Sequence, residues 1–294
     1  MAVIITTSTT RSIGVDEFLD FVRQDVDLRD IDSIAAAAPM LRALANNREF
    51  LIERLNQLVI DRYRSQSIPS AQVISLGAGP NFYVRANIWP SADDIAGGRI
   101  HQDQYAYDLA HDHNYNFLTV AYHGPGYRTD LYEYDFESIT GTPGETVDLH
   151  SQGTLQFEQG MVMLYRASRD VHTQSPPDDL SITLNLMASP DTVRLRDHYH
   201  FDLRTSTLMD YPVDNDSSMR RTLLHVAAKV GGDRTQELLA YLANCHPCRR
   251  TRLAAFDALA VTAAGNATDV WEQACRSTDP FVVKEGRARL QASG

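Results

Sequence analysis

The sequence predicts an α+β chain, with an antiparallel β-sandwich or barrel in the middle and helices on either side. Three observations predict it. Apolar residues recur at helical spacing over residues 15–64. Short β-branched and aromatic runs, separated by Gly, Pro, Asn and Asp, fill residues 70 to about 203. Helical spacing then returns from about residue 217. The corresponding segments are an N-terminal helical cap (1–69), a β domain (70–210) and a C-terminal helical region (211–294).

In the cap, "VDEFLDFVRQDV" and "NNREFLIERLNQLVIDRYR" read as helices, the second with Phe50, Leu51, Leu55, Leu58 and Val59 on one face. Between them "IAAAAPMLRALAN" is a shorter helical segment entered or broken at Pro39. The strand candidates follow as "AQVISLG", "FYVRANIW", "NFLTVAYHG", "TDLYEYD", "ETVDLHS", "GTLQFEQ", "GMVMLYRA", "LSITLNLM" and "HYHFDLR". No helix separates them, so the sheet is antiparallel, because a parallel sheet needs a crossover after each strand. "VISLGAGPN" has the look of a glycine loop for a phosphate. Pro80 and a strand follow it instead of a helix N-terminus, and it is read as a turn.

In the last region "SSMRRTLLHVAAKVGG", "HPCRRTRLAAFDALAV" and "DPFVVKEGRARLQAS" begin at residues 217, 246 and 279. "DRTQELLAYLAN" and "ATDVWEQAC" lie between them as second helices. The pattern resembles HEAT-type helical-hairpin repeats, which implies a surface suited to a protein or peptide partner.

Bulk properties exclude several classes. The formal charge of -11 opposes binding to nucleic acid. No apolar run approaches the roughly 20 residues needed to span a bilayer, and no secretory signal opens the chain. Three cysteines do not make a disulfide framework, so a soluble cytoplasmic protein with reduced thiols is expected. Oligomeric state is left open, a dimer included.

The chemistry concentrates in "YDLAHDHNYNFLTVAYHGPG". In a strand residues i and i+2 point to one side, so His111 and His113 enter the same space while Asp112 points away. A further histidine, His172, ends the run "GMVMLYRASRDVH" that starts at Gly160. The alternative is ordinary polarity where a core strand begins, with His172 capping a turn.

"HDHNYNFLTVAYHGPG" and "GMVMLYRASRDVH" resemble, in the expected order, the two motifs of the cupin superfamily. The resemblance covers roughly residues 82–190 and implies a double-stranded β-helix with His111, His113 and His172 as metal ligands. Where many cupins carry a glutamate ligand this chain has Phe117 and Leu118, and "RASRD" replaces the usual Pro-Gly turn. Three histidines without the glutamate are the ligand set of the thiol dioxygenase branch, and "NIWP", "GPGYRTDLYEYD" and "HTQSPPDDLSITLNLM" resemble their counterparts there. Fe(II) is the metal this implies, with O2 as co-substrate; imidazole also suits Mn, Ni, Cu or Zn. The implied enzyme is a mononuclear non-haem iron oxygenase acting on a small amino-acid-like or thiol-bearing substrate, either free or carried on a peptide.

Two other readings stand beside it. "HQDQY" resembles the first motif of phytanoyl-type oxygenases, in which His101, Asp103 and His172 would form a facial triad with 2-oxoglutarate. The strand after His172 lacks the Arg or Lys that co-substrate needs, and Arg194 is distant. Otherwise His101 and Asp103 are substrate or outer contacts. The remaining reading is a non-catalytic metal- or ligand-binding cupin with an interaction domain. Within the oxygenase reading, Arg128 could pair with a substrate carboxylate or instead with Asp130 or Glu133. Tyr134 or its neighbour Tyr132 could act as an acid or orient oxygen. His123 is expected beside the cavity, and Arg166, in the second motif, is another candidate substrate contact. "CHPC", Cys245 to Cys248, falls in a turn between helices, where buried linker thiols are the default and a redox or zinc role the alternative.

Overall fold

The computed structural model describes residues 2–63, 70, 72–209, 215–263 and 266–293. In chain order it runs β1 (Val3–Ile5), α1 (Val15–Asp25), α2 (Ile31–Ala36), α3 (Ala38–Asn46), α4 (Phe50–Tyr63), β2 (Val73–Gly79), β3 (Phe82–Trp89), α5 (Ala92–Ala96) and β4 (Ala110–His111). Then come β5 (Phe117–His123), β6 (Tyr127–Glu133), β7 (His150–Phe157), β8 (Val162–Tyr165), β9 (Asp170–Gln174), β10 (Ser181–Ala188), β11 (His200–Asp202) and β12 (Thr207–Leu208). Five helices close the chain: α6 (Asn215–Val230), α7 (Asp233–Cys245), α8 (Arg249–Thr262), α9 (Ala267–Ala274) and α10 (Pro280–Ser293). By internal contacts the chain divides into two compact units. One comprises 1–136, 146–193 and 200–207; the other comprises 137–145, 194–199 and 208–294.

In the first unit the strands form two antiparallel six-stranded sheets, ordered β1-β8-β5-β10-β3-β2 and β12-β11-β4-β9-β6-β7. From β3 to β10 the chain crosses between them at every step except the β6–β7 hairpin, the eight-strand order of a jelly roll. Of the two forms the sequence leaves open, sandwich and barrel, the strands form a sandwich of two sheets, each ending in an edge strand.

Alternation along the first sheet explains its composition. Phe82, Val84 and Ala86 on β3, Leu118, Val120 and Tyr122 on β5, and Leu184 and Leu186 on β10 pack with Phe18, Leu19, Val22, Leu41 and Leu44 of the N-terminal helices. The opposite parity (Trp89, Phe117, Ala121, Met163, Tyr165 and Met187) meets Tyr127, Leu131 and Phe157 of the second sheet. With both faces covered, every residue of β8 and β10 is buried. Each large aliphatic of this layer is worth about 2–5 kcal/mol against truncation to alanine.

Several local expectations change. Pro39 enters α3 near its start, and Ala37 separates α3 from α2. On α4 Leu51 is buried and Phe50 meets the Tyr122 ring at 5.8 Å, but Val59 is exposed, and the side chain of Leu58 lies outside the described residues. "VISLGAGPN" is strand β2 and the Pro80–Asn81 turn of a hairpin, Asn81 taking φ 65° as the second central residue of such a turn requires. "ETVDLHS" is not a strand of its own. Only Thr146 makes an isolated bridge, to Thr207, and β7 starts at His150. Strands β1 and β12 and helix α5 are too short to carry a periodic signal.

The β5–β6 turn, Gly124–Pro125–Gly126, is tight. Gly126 has φ 80°, and a Cβ there would stand 1.9 Å from the Phe157 carbonyl oxygen. Both the left-handed backbone and the contact forbid a side chain. Gly126→Ala is expected to lower stability by about 2–4 kcal/mol, read as a fall in urea midpoint.

In the second unit α8 packs against α6, α7, α9 and α10. Its start is tied down by Arg249, which donates to the Thr140 carbonyl at 2.9 Å, and by Arg250, which pairs with the largely buried Asp197 at 2.8 Å. "CHPC" lies between α7 and α8, as the sequence implies, with Cys245 exposed and Cys248 buried, both reduced. Among the described residues no helix is long and apolar enough to cross a membrane.

Candidate metal centre

The site grows from register. His111, the last residue of β4, is paired directly with His172 on β9 and with His200 on β11. Residues directly opposite in a sheet share a face, so His111 and His172 both turn toward the space between the sheets. His113 lies two residues beyond His111. Its carbonyl accepts from Ser168 N–H at 2.7 Å, which fixes the chain where β4 has ended. The ring centroids of His111 and His113 are 4.9 Å apart, and those of His111 and His172 are 4.5 Å apart. One nitrogen from each of the three falls within 4.8 Å of the others, and among the described residues this is the one such group of three or more His, Cys, Asp or Glu.

The nitrogens suit a cation. Nε2 of His113 and Nε2 of His172 are 3.1 Å apart. A metal with Zn-like bonds of about 2.0–2.1 Å holds neighbouring ligand nitrogens roughly 3 Å apart. Nδ1 of His111 meets the Leu109 carbonyl at 2.8 Å, so Nδ1 carries the proton and Nε2 the lone pair. Nδ1 of His172 meets the side-chain amide of Gln174, whose Oε1 has no other partner. With Oε1 turned to Nδ1 the oxygen gains a proton donor and the Nε2 lone pair of His172 is fixed as well. Gln174→Leu is therefore expected to weaken metal affinity by about 10–100-fold while leaving the fold intact, as measured by competition with a chelator.

Asp112 points to the other side. It is fully buried and accepts a 2.6 Å hydrogen bond from the Tyr134 hydroxyl. Tyr134 thus braces the backbone between the two histidines and does not line the cavity. Burial, with the charges of His111 and Arg85 adding to it, holds the His172 imidazole well below its ordinary value near 6.5. The sign follows from proton counting. Below pH 6.5 the unfolded chain takes up a proton that the folded chain refuses, so stability drops as pH falls through 6.5. Thermal melting of the metal-free protein should show a midpoint that declines below that pH and levels off above it.

The trio faces a cavity of about 220 Å³. Its apolar walls are Phe117, stacked on Tyr165 at 4.5 Å, with Tyr115, Trp89 and Tyr127. Across from the histidines stands Arg85 on β3, with Asn87 beside it and Asn185 and Thr119 level with it on β10 and β5. Nε of Arg85, Oδ1 of Asn87, Oγ1 of Thr119 and Nε2 of Gln72 are buried without hydrogen-bond partners. Buried polar atoms are normally satisfied, so such a group of orphans around one cavity describes a place for a polar ligand. Among the described residues no Asp or Glu lines it, and Arg85 is its one permanent charge.

The other residues singled out from sequence lie elsewhere. Arg128 is exposed on β6, facing away from the cavity, its backbone paired with Gln156. Arg166 is half-buried in a network with Asp170 (Nε to Oδ2, 3.0 Å) and Glu133 (3.2 Å), so its fork is occupied. His123 is exposed at the end of β5. His101 and Asp103 are exposed at a short 3-10 turn, outside the histidine group. The structure therefore does not assemble His101, Asp103 and His172 as a facial triad. Sequence reasoning missed Arg85, Asn87, Asn185, Gln174 and His200, whose ring meets His111 edge-on at 6.4 Å.

No protein-family model matches the chain, and no curated protein matches its sequence. Solved structures similar to parts of it include a hydroquinone 1,2-dioxygenase in complex with Cd2+ and 4-hydroxybenzonitrile (11% identity, 43% of this chain and 69% of that one, TM-score 0.28). A salicylate 1,2-dioxygenase from Pseudaminobacter salicylatoxidans matches at 9% identity, over 50% of this chain and 35% of that one, with TM-score 0.29. A cupin domain from Bordetella pertussis Tohama I matches at 13% identity, over 42% of this chain and 96% of that one, with TM-score 0.23. Likeness at this level decides nothing about the chemistry, which rests on the site itself.

Proposed function

We propose that the chain is a cupin-type, metal-dependent oxygenase acting on a small carboxylate. The observation that carries this reading is the placement of three convergent imidazoles opposite a guanidinium without a carboxylate partner, across a small, mostly aromatic cavity. His111, His113 and His172 would hold Fe(II), which when bound supplies the means of activating O2. Three ligands from one wall leave positions toward the cavity for substrate. Arg85 binds the carboxylate bidentately and turns the rest of the molecule toward the histidines. The aromatic walls exclude water and strengthen that charge pair. Small thiol- and hydroxyl-bearing carboxylates are the substrates to try first, with the amino-acid-like ones that the cupin resemblance implies compared beside them.

The test is oxygen uptake by protein loaded anaerobically with Fe(II) and offered a panel of small mercapto-, hydroxy- and amino-carboxylates. Uptake that needs both a panel member and iron, and that is lost in His113→Ala, is expected. Iron binding without uptake for any of them would contradict it.

A second reading draws on α6, which exposes Met219, Leu223, Val226 and Val230 at spacings of four, three and four, a seam fit for another helix. On that reading the cavity senses a ligand, and the HEAT-like helical region transmits its binding to a protein partner.

A further inference from the structure

The cavity's charges define its ligand more narrowly than "carboxylate". Among the described residues Arg85 is the one permanent charge in the lining, and no Asp or Glu stands there to neutralise a ligand cation. A metal ion at the histidines would add more positive charge on the opposite wall. An α-amino acid carries an ammonium beside its carboxylate. Seated on Arg85, that ammonium would lie among like charges with no anion of the protein to meet it, a juxtaposition that discriminates strongly between ligands.

The orphaned atoms point the same way. Asn87 stands two residues from Arg85 on the same face of β3, so the two Cα atoms are roughly 7 Å apart. Thr119 lies level with Arg85, with Asn185 of β10 between them. The Oδ1 of Asn87 and Oγ1 of Thr119 are buried and unpartnered. These are neutral acceptors, suited to a neutral hydroxyl or thiol donor a few ångströms from the carboxylate. An ammonium would leave at least one of its protons unmatched there, and its charge would stay unbalanced.

We infer that the site selects compact carboxylates carrying a neutral hydroxyl or thiol donor and rejects those carrying an ammonium, with Arg85 and Asn87 as the discriminating pair. This rests on the reading of Arg85 as the carboxylate anchor and not on the oxygenase chemistry.

The test compares three acids that differ in one substituent, mandelate, phenylacetate and phenylglycine, together with the smaller set lactate, propionate and alanine. Binding to the full chain is measured by calorimetry, with and without bound metal. Tryptophan fluorescence gives a second readout, since Trp89 lines the cavity. In whichever set binds, the hydroxy acid is expected to bind tightest and the amino acid at least about tenfold more weakly than the hydroxy acid. Asn87→Leu should bring the hydroxy acid down to the level of the unsubstituted acid without altering the latter, and Arg85→Gln should weaken all three. Equal or tighter binding of the amino acid, or no binding in either set, overturns the inference. Should the affinities fall in the expected order with no oxygen uptake from any acid, the oxygenase reading fails and this one stands.

Discussion

His172→Ala is expected to abolish stoichiometric metal binding, with the fold retained. Removing an outer partner of a metal ligand already costs about 10–100-fold in affinity, and deleting one of three ligands costs more than that. His172 is the one to choose because it is buried and belongs to a strand whose five residues are all buried, so no other side chain can swing in to replace it. Replacing a buried, neutral imidazole with a methyl group also removes a group that resists protonation. The acid sensitivity of the metal-free protein should weaken in the variant. Dialysis against Fe(II) or Zn(II) followed by elemental analysis reads the first effect, and melting curves across pH read the second. Near-full metal occupancy in the variant would mean that the centre lies elsewhere.

Arg85→Met is expected to move function and stability in opposite directions. Truncating one member of a buried charge pair costs about 2–5 kcal/mol of binding, a loss of roughly 30- to several-thousand-fold in affinity for the carboxylate. In the absence of ligand the same change removes a cation whose Nε is buried without a partner. Leaving a polar group unsatisfied costs about 1–3 kcal/mol, so the variant should be more stable than the parent by up to that amount. The pairing of lost affinity with gained stability marks a residue kept for its ligand; a structural role would lower both. Urea titration and calorimetry on the same preparations decide it.

The histidine trio was legible because two features survive in one dimension. A His-x-His needs only strand alternation to converge, and His172 closes a Gly-to-His run of recognisable form. Arg85 was not legible, and the reason is geometric. On β3 the apolar parity, Phe82, Val84, Ala86 and Ile88, looks like the core face, and the parity of Tyr83, Arg85, Asn87 and Trp89 looks like the solvent face. Helices α1 and α3 cover the apolar parity, so the polar one turns inward to the cavity. Alternation tells which residues share a side and cannot tell which side holds the ligand. The same inversion holds on β10, where Thr183 and Asn185 face the cavity and Leu184 and Leu186 the helices. Arg128 and Arg166 drew notice because each lies near a motif, yet one is exposed on an outer face and the other is bound by Asp170 and Glu133. From sequence Tyr134 reads as an acid or an oxygen-orienting phenol, not as the partner of Asp112, a contact made across 22 residues of chain.

X-ray absorption on the zinc-loaded protein tests the metal centre most directly. Three imidazole nitrogens per zinc at about 2.0–2.1 Å are predicted, and the His172→Ala variant should retain too little zinc to give that shell. A sulfur shell at about 2.3 Å, or fewer than two imidazoles, would place the metal away from His111, His113 and His172 and contradict the account.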